Sequence, residues 1–297
     1  MSAQPEANPT TEFLSLRPRL FAVAYRMLGT VSDAEDIVQE GFLRWQKADR
    51  RRIDDATGYL IRIVTNLCLD RLRAAKTQRE SYTGEWLPEP IVTSDATESV
   101  DHNVSVALLL VLERLTPLER AAFLLHDVFD TDYADVSEVL DRSPATCRQL
   151  VKRARAHVQD ARPRHSVTPS EGKEITLAFF QAARTGDTDA LTQMLSDQAQ
   201  LIADGGDKVV AVRRMISGRE NLTRLFAGVA KLQGGVAPDD WRFCHLNGLP
   251  AILSREADPQ LVQATAVEIE DGRIARVYIV RNPEKTAHLA SELGLSL

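Results

Sequence analysis

Three blocks of the chain differ in how their hydrophobic and polar residues are spaced. Over 11–80, and again over 106–160, apolar residues recur every three or four positions, which predicts amphipathic helices. In the last block, 172–287, helical spacing comes first, and alternating residues then flank Asp271-Gly272, the strongest short hairpin signal. The pattern predicts a multidomain protein in which two all-α domains, a helical bundle and a helix-turn-helix, precede an α+β domain with a curved antiparallel sheet.

The first block contains two helices with contrasting faces. In the stretch SDAEDIVQEGFLRWQ, Ser32 and Glu35 form a capping-box pattern, and an apolar stripe follows from Ile37 to Trp45. This mixture of acids with large apolar residues fits either a solvated surface or a protein-docking surface, and the pattern alone leaves both open. The helix over 58–80 carries a polar face that points to solvent or to a ligand: Arg62, Asn66, Asp70 and Arg73.

The second block predicts a helix-turn-helix. Residues 116–119, Thr-Pro-Leu-Glu, supply an N-cap, a proline at the first helical position and a capping glutamate. A short helix over 132–140, a turn over 141–143 and a longer basic helix from Pro144 complete the motif. The competing interpretation is a solvated amphipathic helix. The side chains suited to base edges are Arg148 and Gln149, and those suited to phosphates are Lys152, Arg153 and Arg155.

Two segments rich in turn residues, 81–105 and 161–171, separate the blocks. The first contains YTGEWLPEP, in which Pro88 and Pro90 exclude an ordinary helix or a central strand. Because a plain linker would be polar, Trp86 and Leu87 predict a loop that packs on a neighbouring domain or is held ready for a partner. Residues 1–10 are expected to be disordered, and 288–297 to form an amphipathic tail.

Composition narrows the class of protein. The 297 residues are 44% hydrophobic and 26% charged, as in a globular protein, and no stretch is apolar enough to span a membrane. The first residues lack the basic and apolar segments of a signal peptide. Cys68, Cys147 and Cys244 match no metal or disulfide spacing. We therefore expect a reduced, cytoplasmic protein with no metal and no cofactor.

Charge is unevenly distributed along the chain. The formal net charge of −6 argues against nucleic-acid binding, but the segment 142–164 contains seven Arg or Lys residues and one acid, Asp160. The segment 71–79 contains four Arg or Lys residues and no acid. Contact with phosphates requires locally basic helices of this kind. The distribution favours two nucleic-acid surfaces, each weak alone and stronger when combined on one chain.

Four motifs occur in the order found in one protein family: SDAEDIVQEGFLRWQ, YLIRIVTNLCLDRLR, LERLTPLERAAFLLHDVFDTDYADVSEVL and SPATCRQLVKRARAHV. Over residues 11–160 the chain resembles the bacterial extracytoplasmic-function RNA polymerase sigma factors. The resemblance implies a sigma domain 2 over 11–80, which binds core polymerase and the −10 element, and a sigma domain 4 over 106–160, which binds the −35 element. The partners it implies are promoter DNA and core RNA polymerase, through the large-subunit clamp helices and the flap.

The resemblance also implies roles for individual residues. The helix that docks on the clamp helices would use Asp33, Glu35, Asp36, Gln39, Glu40, Phe42 and Trp45. The face that reads and melts the −10 element would use Arg62, Asn66, Asp70, Arg71 and Arg73. The loop over 47–55 would receive a flipped-out base. The −35 element would be read by Ser143, Arg148, Gln149, Lys152, Arg153 and Arg155.

The remainder of the chain is similar to a subgroup of these sigma factors that carries a fused C-terminal SnoaL-like domain. The shared features are a WLPEP linker at 86–90, a DGGGK-type loop at 204–208 and an NPxK segment at 282–285. Asp207 replaces the third glycine of the loop, and aspartate tolerates a positive φ better than valine would. We expect the linker to dock on this domain through Trp86, Leu87, Pro88, Glu89, Pro90, Asp204, Gly205, Gly206, Lys208, Asn282, Pro283 and Lys285.

The resemblance implies an alternative sigma factor that initiates transcription, with the SnoaL-like domain regulating its activity in cis and the tail restraining that domain. The polar candidates for catalysis, Asp204, His245, Tyr278 and His288, form no nucleophile–base set by spacing, and no enzymatic activity is expected. Two other classes stay open: a ligand-responsive helix-turn-helix regulator, and a SnoaL-like enzyme with a DNA-targeting module. A small ligand in the C-terminal domain is also left open.

Overall fold

The computed structural model describes residues 9–80, 82, 84–93, 105–158, 167–235, 240–256, 261–291 and 294. The chain divides into two compact units. The helical unit comprises Met1–Glu80 and Ala107–Arg162, and the sheet unit comprises Ser81–Val106 and Pro163–Leu297. The segment predicted as an interdomain linker therefore belongs to the sheet unit. Of the lead-in predicted over 1–10, the first eight residues lie outside the described part of the chain.

The helical unit is built from seven helices and two short turns in its described part. The helices are α1 (Pro9–Leu28), α2 (Val31–Lys47), α3 (Ala56–Glu80), α4 (Val106–Glu113), α5 (Pro117–Phe123), α6 (Tyr133–Leu140) and α7 (Pro144–Val158). A 3₁₀ turn at Arg50–Arg52 connects α2 to α3, and a π-helical turn at Leu124–Val128 extends α5. The helical character predicted for both N-terminal blocks is confirmed.

The core of the helical unit joins its two sequence blocks. Leu20, Trp45 and Leu60 are each at most 1% exposed. Arg120 of α5 is 2% exposed, and its guanidinium donates to the carbonyl oxygen of Met27 (2.5 Å) and to a carboxylate oxygen of a glutamate on α4 (2.6 Å). A buried charge is stable only when it is paired and hydrogen-bonded. Arg120 therefore links α5 to the end of α1 by a buried hydrogen bond.

The helix starts test the capping predictions. Thr116 and Glu119 form the predicted capping box at the start of α5. The prediction for Ser32 is wrong: α2 begins at Val31, and its N-cap is Thr30, whose hydroxyl donates to Asp33 Oδ2 at 2.8 Å. The physical reason is the shortness of the turn. Gly29, at φ +73°, ends α1 by donating to the carbonyl of Tyr25, and only one residue is left before α2.

The helix-turn-helix is formed by α6 and α7. Asp132 caps α6 by accepting from two backbone amides. Asp141 adopts the left-handed conformation, φ 51°, which reverses the chain after α6. Ser143 Oγ accepts from the backbone amide of Thr146 at 3.2 Å, the geometry of an N-cap on α7. The predicted order of helix, three-residue turn and longer basic helix is confirmed.

In its described part, the sheet unit combines four helices with a seven-stranded sheet. Its helices are α8 (Pro169–Thr185), α9 (Thr188–Met194), α10 (Arg219–Leu232) and α11 (Pro283–Thr286), followed by a 3₁₀ turn at Ala287–Leu289. Its strands are β1 (Val92–Thr93), β2 (Leu195–Asp204), β3 (Ile216–Ser217), β4 (Trp241–Leu246), β5 (Leu249–Arg255), β6 (Val262–Glu270) and β7 (Arg273–Val280). The strand order is β1-β4-β5-β6-β7-β2-β3. The predicted α+β class is confirmed.

The sheet differs from the predicted antiparallel arrangement in one pair of neighbouring strands. The hairpin at Asp271-Gly272 is confirmed, with φ values of 51° and 73° that suit a two-residue turn. β2 and β7, in contrast, run parallel, with Leu201 opposite Val277. These two neighbours are separated in sequence by α10 and four strands, β3 to β6, and a connection of that length permits the parallel arrangement that a tight turn forbids.

Helices α8, α9 and α10 cover an apolar cluster on the sheet. Phe179 and Phe226 meet edge to face, with ring centroids 5.3 Å apart. Leu191, Leu195 and Val277 are fully buried in the same cluster. Among the described residues, no helix has the length and the apolar character that crossing a bilayer requires.

Candidate functional site

Asp204 is the centre of a buried polar cluster that holds the segment 82–91. It stands at the end of β2 and is 1% exposed. Its Oδ2 accepts from the backbone amide of Leu87 (2.8 Å), and its Oδ1 accepts from the hydroxyl of Tyr82 (2.6 Å) and the amide of Gly206 (3.0 Å). A carboxylate can be buried when it accepts several hydrogen bonds and has a cationic partner.

Lys285 supplies that cationic partner. Its ammonium donates to Asp204 Oδ2 at 2.7 Å and to the carbonyl oxygen of Leu87 at 2.6 Å. The same nitrogen lies 4.2 Å from the ring centroid of Trp86 and 5.0 Å from that of Tyr82. Lys285 is only 5% exposed, so water can stabilise its charge very little. The carboxylate of Asp204 and the two aromatic faces provide that stabilisation instead. We call Tyr82, Trp86, Leu87, Asp204, Asn282 and Lys285 the linker clamp.

Asn282 joins the end of the sheet to the linker clamp. Its Oδ1 caps α11 by accepting from the amide of Glu284 (3.1 Å), and its Nδ2 donates to the hydroxyl of Tyr82 (3.0 Å). Gly206, at φ +60°, approaches Asn282 so closely that a Cβ there would lie 2.8 Å from Nδ2. A Cβ on Gly205 would lie 2.4 Å from the carbonyl oxygen of Val209. Both glycines are therefore required for the close approach of the loop.

Burial and the acidic neighbour both act on the phenol of Tyr82. Burial is the largest cause that raises its pKa, and the hydrogen bond to Asp204 and the negative charge of that residue raise it further. The hydrogen bond from Asn282 acts in the opposite direction. The phenol is therefore held in its neutral, hydrogen-donating form, which is the form that bonds to Asp204.

The remaining linker residues are also packed on the sheet unit. Pro88, Glu89 and Pro90 are buried. The imidazole of His288 places Nδ1 3.1 Å from Glu89 Oε1 and Nε2 2.9 Å from the carbonyl oxygen of Pro90. Leu289, in the segment expected to be a tail, is 1% exposed. The start of that segment is therefore part of the fold, whereas residues 295–297 lie outside the described part.

The linker continues as the edge strand of the sheet. Ile91 exchanges hydrogen bonds with Asn247, donating to Oδ1 at 3.2 Å and accepting from the backbone amide at 2.9 Å. β1 then pairs with β4, with Val92 opposite Leu246 and Thr93 opposite His245. This is β-strand addition: main-chain hydrogen bonds hold the segment regardless of its side chains.

Two residues of the loop at 204–208 differ from the prediction: Asp207, considered for a positive φ, and Lys208, expected to contact the linker. Asp207 is exposed and is not among the residues with a positive φ in the described chain, so its position does not require glycine. Lys208 forms ion pairs with Asp207 (4.0 Å) and Glu284 (3.8 Å). Among the described residues it has no hydrogen bond or ion pair to the linker. Pro283 occupies the first turn of α11.

The polar residues considered as catalytic candidates are not brought together. Tyr278 donates to Glu268 Oε2 (2.9 Å), and burial, followed by the charge of that glutamate, raises its pKa. Asp204 belongs to the linker clamp and His288 contacts the linker. His245 lies on β4, with its ring edge-on to Phe243. Among the described residues, no group of His, Cys, Asp and Glu has the arrangement of a metal site.

In the helical unit, the exposed face of α2 differs from the set predicted to dock on a partner. Trp45 is 1% exposed and packs near Tyr59 in the core, which contradicts its assignment to a docking surface. Phe42 is half-buried against Phe13, with centroids 4.9 Å apart. Leu43 is the large apolar side chain that α2 exposes, at 48%. Its polar neighbours on that face are Asp36, Gln39 and Glu40.

Three acids of α2, Asp33, Glu35 and Asp36, form ion pairs inside the helical unit. Glu35 pairs with Arg17 at 2.5 Å. Arg71 of α3 lies 3.3 Å from Asp33 and 3.6 Å from Asp36. Arg71 was predicted to share the polar face of α3, but its side chain points to α2, because its position lies one residue after Asp70 and therefore about 100° around the helix.

The exposed face of α3 carries the other predicted residues. Arg62, Asn66 and Asp70 follow one another at four-residue spacing, and all three are exposed. Arg73 lies next to them and is 2.9 Å from Asp70. The face therefore presents two cations, one of them balanced by a carboxylate, and one amide.

The basic helix α7 presents two kinds of cation. Arg153 pairs with Glu119 at 2.8 Å, and Arg155 forms a bidentate pair with Asp127 at 2.7 and 2.8 Å. Arg148 lies over the ring of Tyr133 at 5.5 Å. Gln149 and Lys152 are exposed and form no hydrogen bond or ion pair within the described chain. The free hydrogen-bonding groups thus lie at the front and middle of the helix.

Comparison with known proteins decides the family. Family models for sigma-70 region 2 and sigma-70 region 4 match residues 13–78 and 105–158. The ECF RNA polymerase sigma factor SigJ of Mycobacterium tuberculosis is 36% identical over 290 residues, which cover 93% of this chain and 92% of SigJ. This chain belongs to the ECF RNA polymerase sigma factors. Promoter recognition for RNA polymerase is the function of that family.

Two further relatives support the assignment. The crystal structure of the extracytoplasmic function sigma factor SigJ of M. tuberculosis matches with a TM-score of 0.75 and 34% identity, over 93% of this chain and 98% of that one. The probable ECF RNA polymerase sigma factor SigI of the same species is 33% identical over 285 residues, 94% of each chain. The likeness therefore extends through the sheet unit of this sigma factor, beyond the two matched regions.

Membership of the family assigns the helices of this sigma factor to two regions. Region 2 corresponds to α1–α3 and region 4 to α4–α7. Sigma factors bind core RNA polymerase and promoter DNA, and they act as transcription factors. Motif-based reasoning missed two contact residues, Tyr82 in the clamp and Asn247 on the linker edge, and the set predicted for the docking helix omitted the exposed Leu43. Helical spacing from Asp36, Gln39 and Glu40 was a signal that could have found Leu43.

Proposed function

We propose that this sigma factor binds core polymerase through the exposed face of α2. The face combines Asp36, Gln39 and Glu40 with the exposed Leu43. An apolar anchor surrounded by polar groups is the composition of a protein interface. The expected docking partner is the pair of clamp helices on the large polymerase subunit, and Trp45 stabilises α2 from the inside.

The same proposal assigns α3 to the −10 element. Asn66 can hydrogen-bond an exposed base edge, and Arg62 and Arg73 supply positive charge on the same face. The exposed basic turn at Arg50–Arg52 lies in the loop expected to receive a flipped-out base. Arg71 acts indirectly, by orienting the acids of α2.

The front of α7 is assigned to the −35 element. Arg148 and Gln149 lie on the exposed face of the first two turns, where a recognition helix reaches base edges. Lys152 is free to contact a phosphate, while Arg153 and Arg155 remain engaged with acids unless DNA displaces those partners. Region 4 would also contact the polymerase flap.

We further propose that the linker clamp regulates the sigma factor in cis. The observation that carries this proposal is the buried bond from the Leu87 amide to Asp204, closed on its other side by Lys285. Holding residues 84–93 on the sheet unit leaves a shorter length of chain to connect the sigma domains over 11–80 and 106–160. The clamp then limits how far the two promoter-binding surfaces can separate once the core shared by α1 and α5 has opened, and releasing the linker would raise that limit.

Run-off transcription tests both parts. The assay combines core polymerase, a promoter template and either the full chain, a chain ending at residue 165 or a chain ending at residue 287. Transcript is expected only when a version of this chain is present, and the yield is expected to differ between the full chain and each truncation. Transcript without the chain would refute the sigma function, and three equal yields would refute regulation by the third domain, 172–287, and its tail.

A double-mutant cycle tests the contact itself. Trp86→Ala and Asp204→Ala are made singly and together, and transcription and unfolding are measured for each variant. Residues in direct contact or in one hydrogen-bond network show coupling of about 0.5–3 kcal/mol. Additive effects would contradict a clamp in which Trp86 and Asp204 act through Lys285.

A further inference from the structure

The sheet unit contains a cavity that the sigma function leaves unused. Its volume is about 110 Å³, and it lies between α8 and α10 on one side and strands β2, β6 and β7 on the other. Phe179, Phe180, Leu225, Phe226 and Ile279 form most of its apolar wall. A cavity needs roughly 10–15 Å³ of such volume to hold one water molecule. The space is therefore large enough for a small organic molecule, such as one with a single aromatic ring.

One of the two arginines in the wall is fully neutralised. Arg184 pairs with both carboxylate oxygens of Glu256, and it also donates to Gln233 (3.0 Å) and Ser254 (3.3 Å). Its guanidinium lies 5.3 Å from the ring centroid of Phe180. Arg184 therefore has little capacity left for a ligand.

The second arginine, Arg281, lacks such a partner. Among the described residues, its guanidinium makes one hydrogen bond, to the carbonyl oxygen of Val210 at 2.7 Å, and its buried Nε has no hydrogen-bond partner. No carboxylate of the described chain forms an ion pair with it. Burial is the main cause that lowers its pKa, and the positive charge of Arg184 lowers it further, although Glu256 acts in the opposite direction. A cation in this setting is stabilised by an incoming anion.

We propose that this cavity binds a small carboxylate that carries an aromatic ring or a short alkyl chain. The carboxylate lies against Arg281, whose planar guanidinium matches it in geometry. The apolar part lies among the phenylalanines of α8 and α10. Gln263 and Thr265, which are hydrogen-bonded to each other at 3.0 Å, supply the additional polar groups of the wall. An apolar pocket with a few convergent polar groups is the usual construction of a ligand site.

The cavity shares backbone with the linker clamp. The amide of Arg281 donates to the carbonyl oxygen of Asp204 at 2.7 Å, and the next residue, Asn282, belongs to the clamp. Ala211 and Val212 of the loop after β2 also line the cavity. An occupant would therefore touch the segments that hold the linker. The binding proposal itself rests on the cavity and on Arg281, and it stands or falls independently of the regulatory role.

The test is a binding measurement on the full chain. Benzoate and hexanoate are titrated by calorimetry and compared with benzamide and hexanamide, which keep the shape and lose the charge. We expect saturable binding that favours each acid over its amide. Arg281→Met should lower benzoate affinity by roughly 10–100-fold, the loss expected for one charge-assisted contact, and should leave benzamide affinity unchanged. Arg224→Met, at an exposed arginine of α10, is the matched control and should change neither.

Four results would overturn the proposal. They are the absence of saturable binding for all four compounds, equal affinity for acid and amide, unchanged benzoate affinity in Arg281→Met, and an equal loss in Arg224→Met. If Arg281→Met does not fold, as judged by circular dichroism, Arg281→Lys takes its place. That variant keeps the charge and loses the planar fork, so benzoate should still be preferred to benzamide, with lower affinity than in the wild type. Wild-type benzoate affinity in Arg281→Lys would also refute the assigned contact.

Discussion

Replacing Lys285 by methionine tests the linker clamp at its buried ion pair. Methionine keeps most of the side-chain volume and removes the charge. Asp204, 1% exposed, would lose its cationic partner, and the carbonyl of Leu87 would lose its donor. The ring of Trp86 would lose a cation 4.2 Å from its centroid. The substitution therefore removes contacts between the linker and the end of β2 without replacing any strand residue.

The size of the effect follows from these contacts. Removing one partner of a buried ion pair costs about 3–5 kcal/mol. Asp204 keeps three other donors, on Leu87, Tyr82 and Gly206, so the lower end of that range is expected. About 3 kcal/mol corresponds to an increase of roughly 100-fold in the population with the linker released, since every 1.4 kcal/mol is a factor of ten.

Hydrogen exchange at the Leu87 amide measures this opening directly, because that amide donates to Asp204. The matched control is Lys208→Met, which removes a lysine from the loop that follows Asp204. Lys208 is half-exposed and its pairs, at 3.8 and 4.0 Å, are solvated, so its loss should change the opening by at most about fivefold. Unchanged protection of Leu87 in Lys285→Met, or equal loss in both variants, would refute the clamp.

Three other predictions concern DNA, pH and polymerase. Gln149→Ala should reduce discrimination between promoter and mutated −35 sequences by about 1–3 kcal/mol, whereas Lys152→Met should weaken all DNA alike and reduce the salt slope by about one, both measured by titration with core enzyme at several salt concentrations. Because the pKa of Tyr82 is raised in the folded state, the stability that its phenol contributes is complete below the ordinary value of about 10 and is lost as the pH rises above it. In urea unfolding, the free energy of unfolding of Tyr82→Phe should therefore differ from that of the wild type by a constant amount up to about pH 10 and by less above it. A difference that grows above that pH would contradict this cause. Leu43→Ala should weaken binding to core polymerase by about 1–2 kcal/mol, while Leu14→Ala, at an exposed leucine of α1, should not; equal effects would exclude an anchor on α2.

Sequence signals predicted an element correctly where that element depends only on residues that are neighbours in the chain. The capping box at Thr116 and the hairpin at Asp271 depend only on residues within a few positions, and both are present. Ser32 failed because Gly29 ended the previous helix so close by that Thr30 became the cap. The parallel pairing of β2 with β7 involves strands far apart in sequence, so no local pattern could reveal it.

The functional residues divide in the same way. Motif order identified the segments that form the linker clamp, and the spacing of Arg62, Asn66 and Asp70 predicted one exposed face. Trp45 was placed on a surface because helical spacing shows which residues share a face, but not which face another helix covers. Arg281 carries no local signal at all, since its role follows from a fold in which no carboxylate of the described residues forms an ion pair with it.

The amino-acid sequence by itself determined the helices of both promoter-binding regions, the turn residues between them, the family and the segments that meet at the clamp. Those properties depend on side-chain periodicity, capping chemistry and motifs, all of which are written along the chain. Tertiary structure alone decided that the linker becomes an edge strand, that Asp204 and Lys285 are buried together, and that Arg281 lines an apolar cavity with no ion-pair partner among the described residues. Burial and charge balance are sums over residues distant in sequence, so they exist only once the chain is folded.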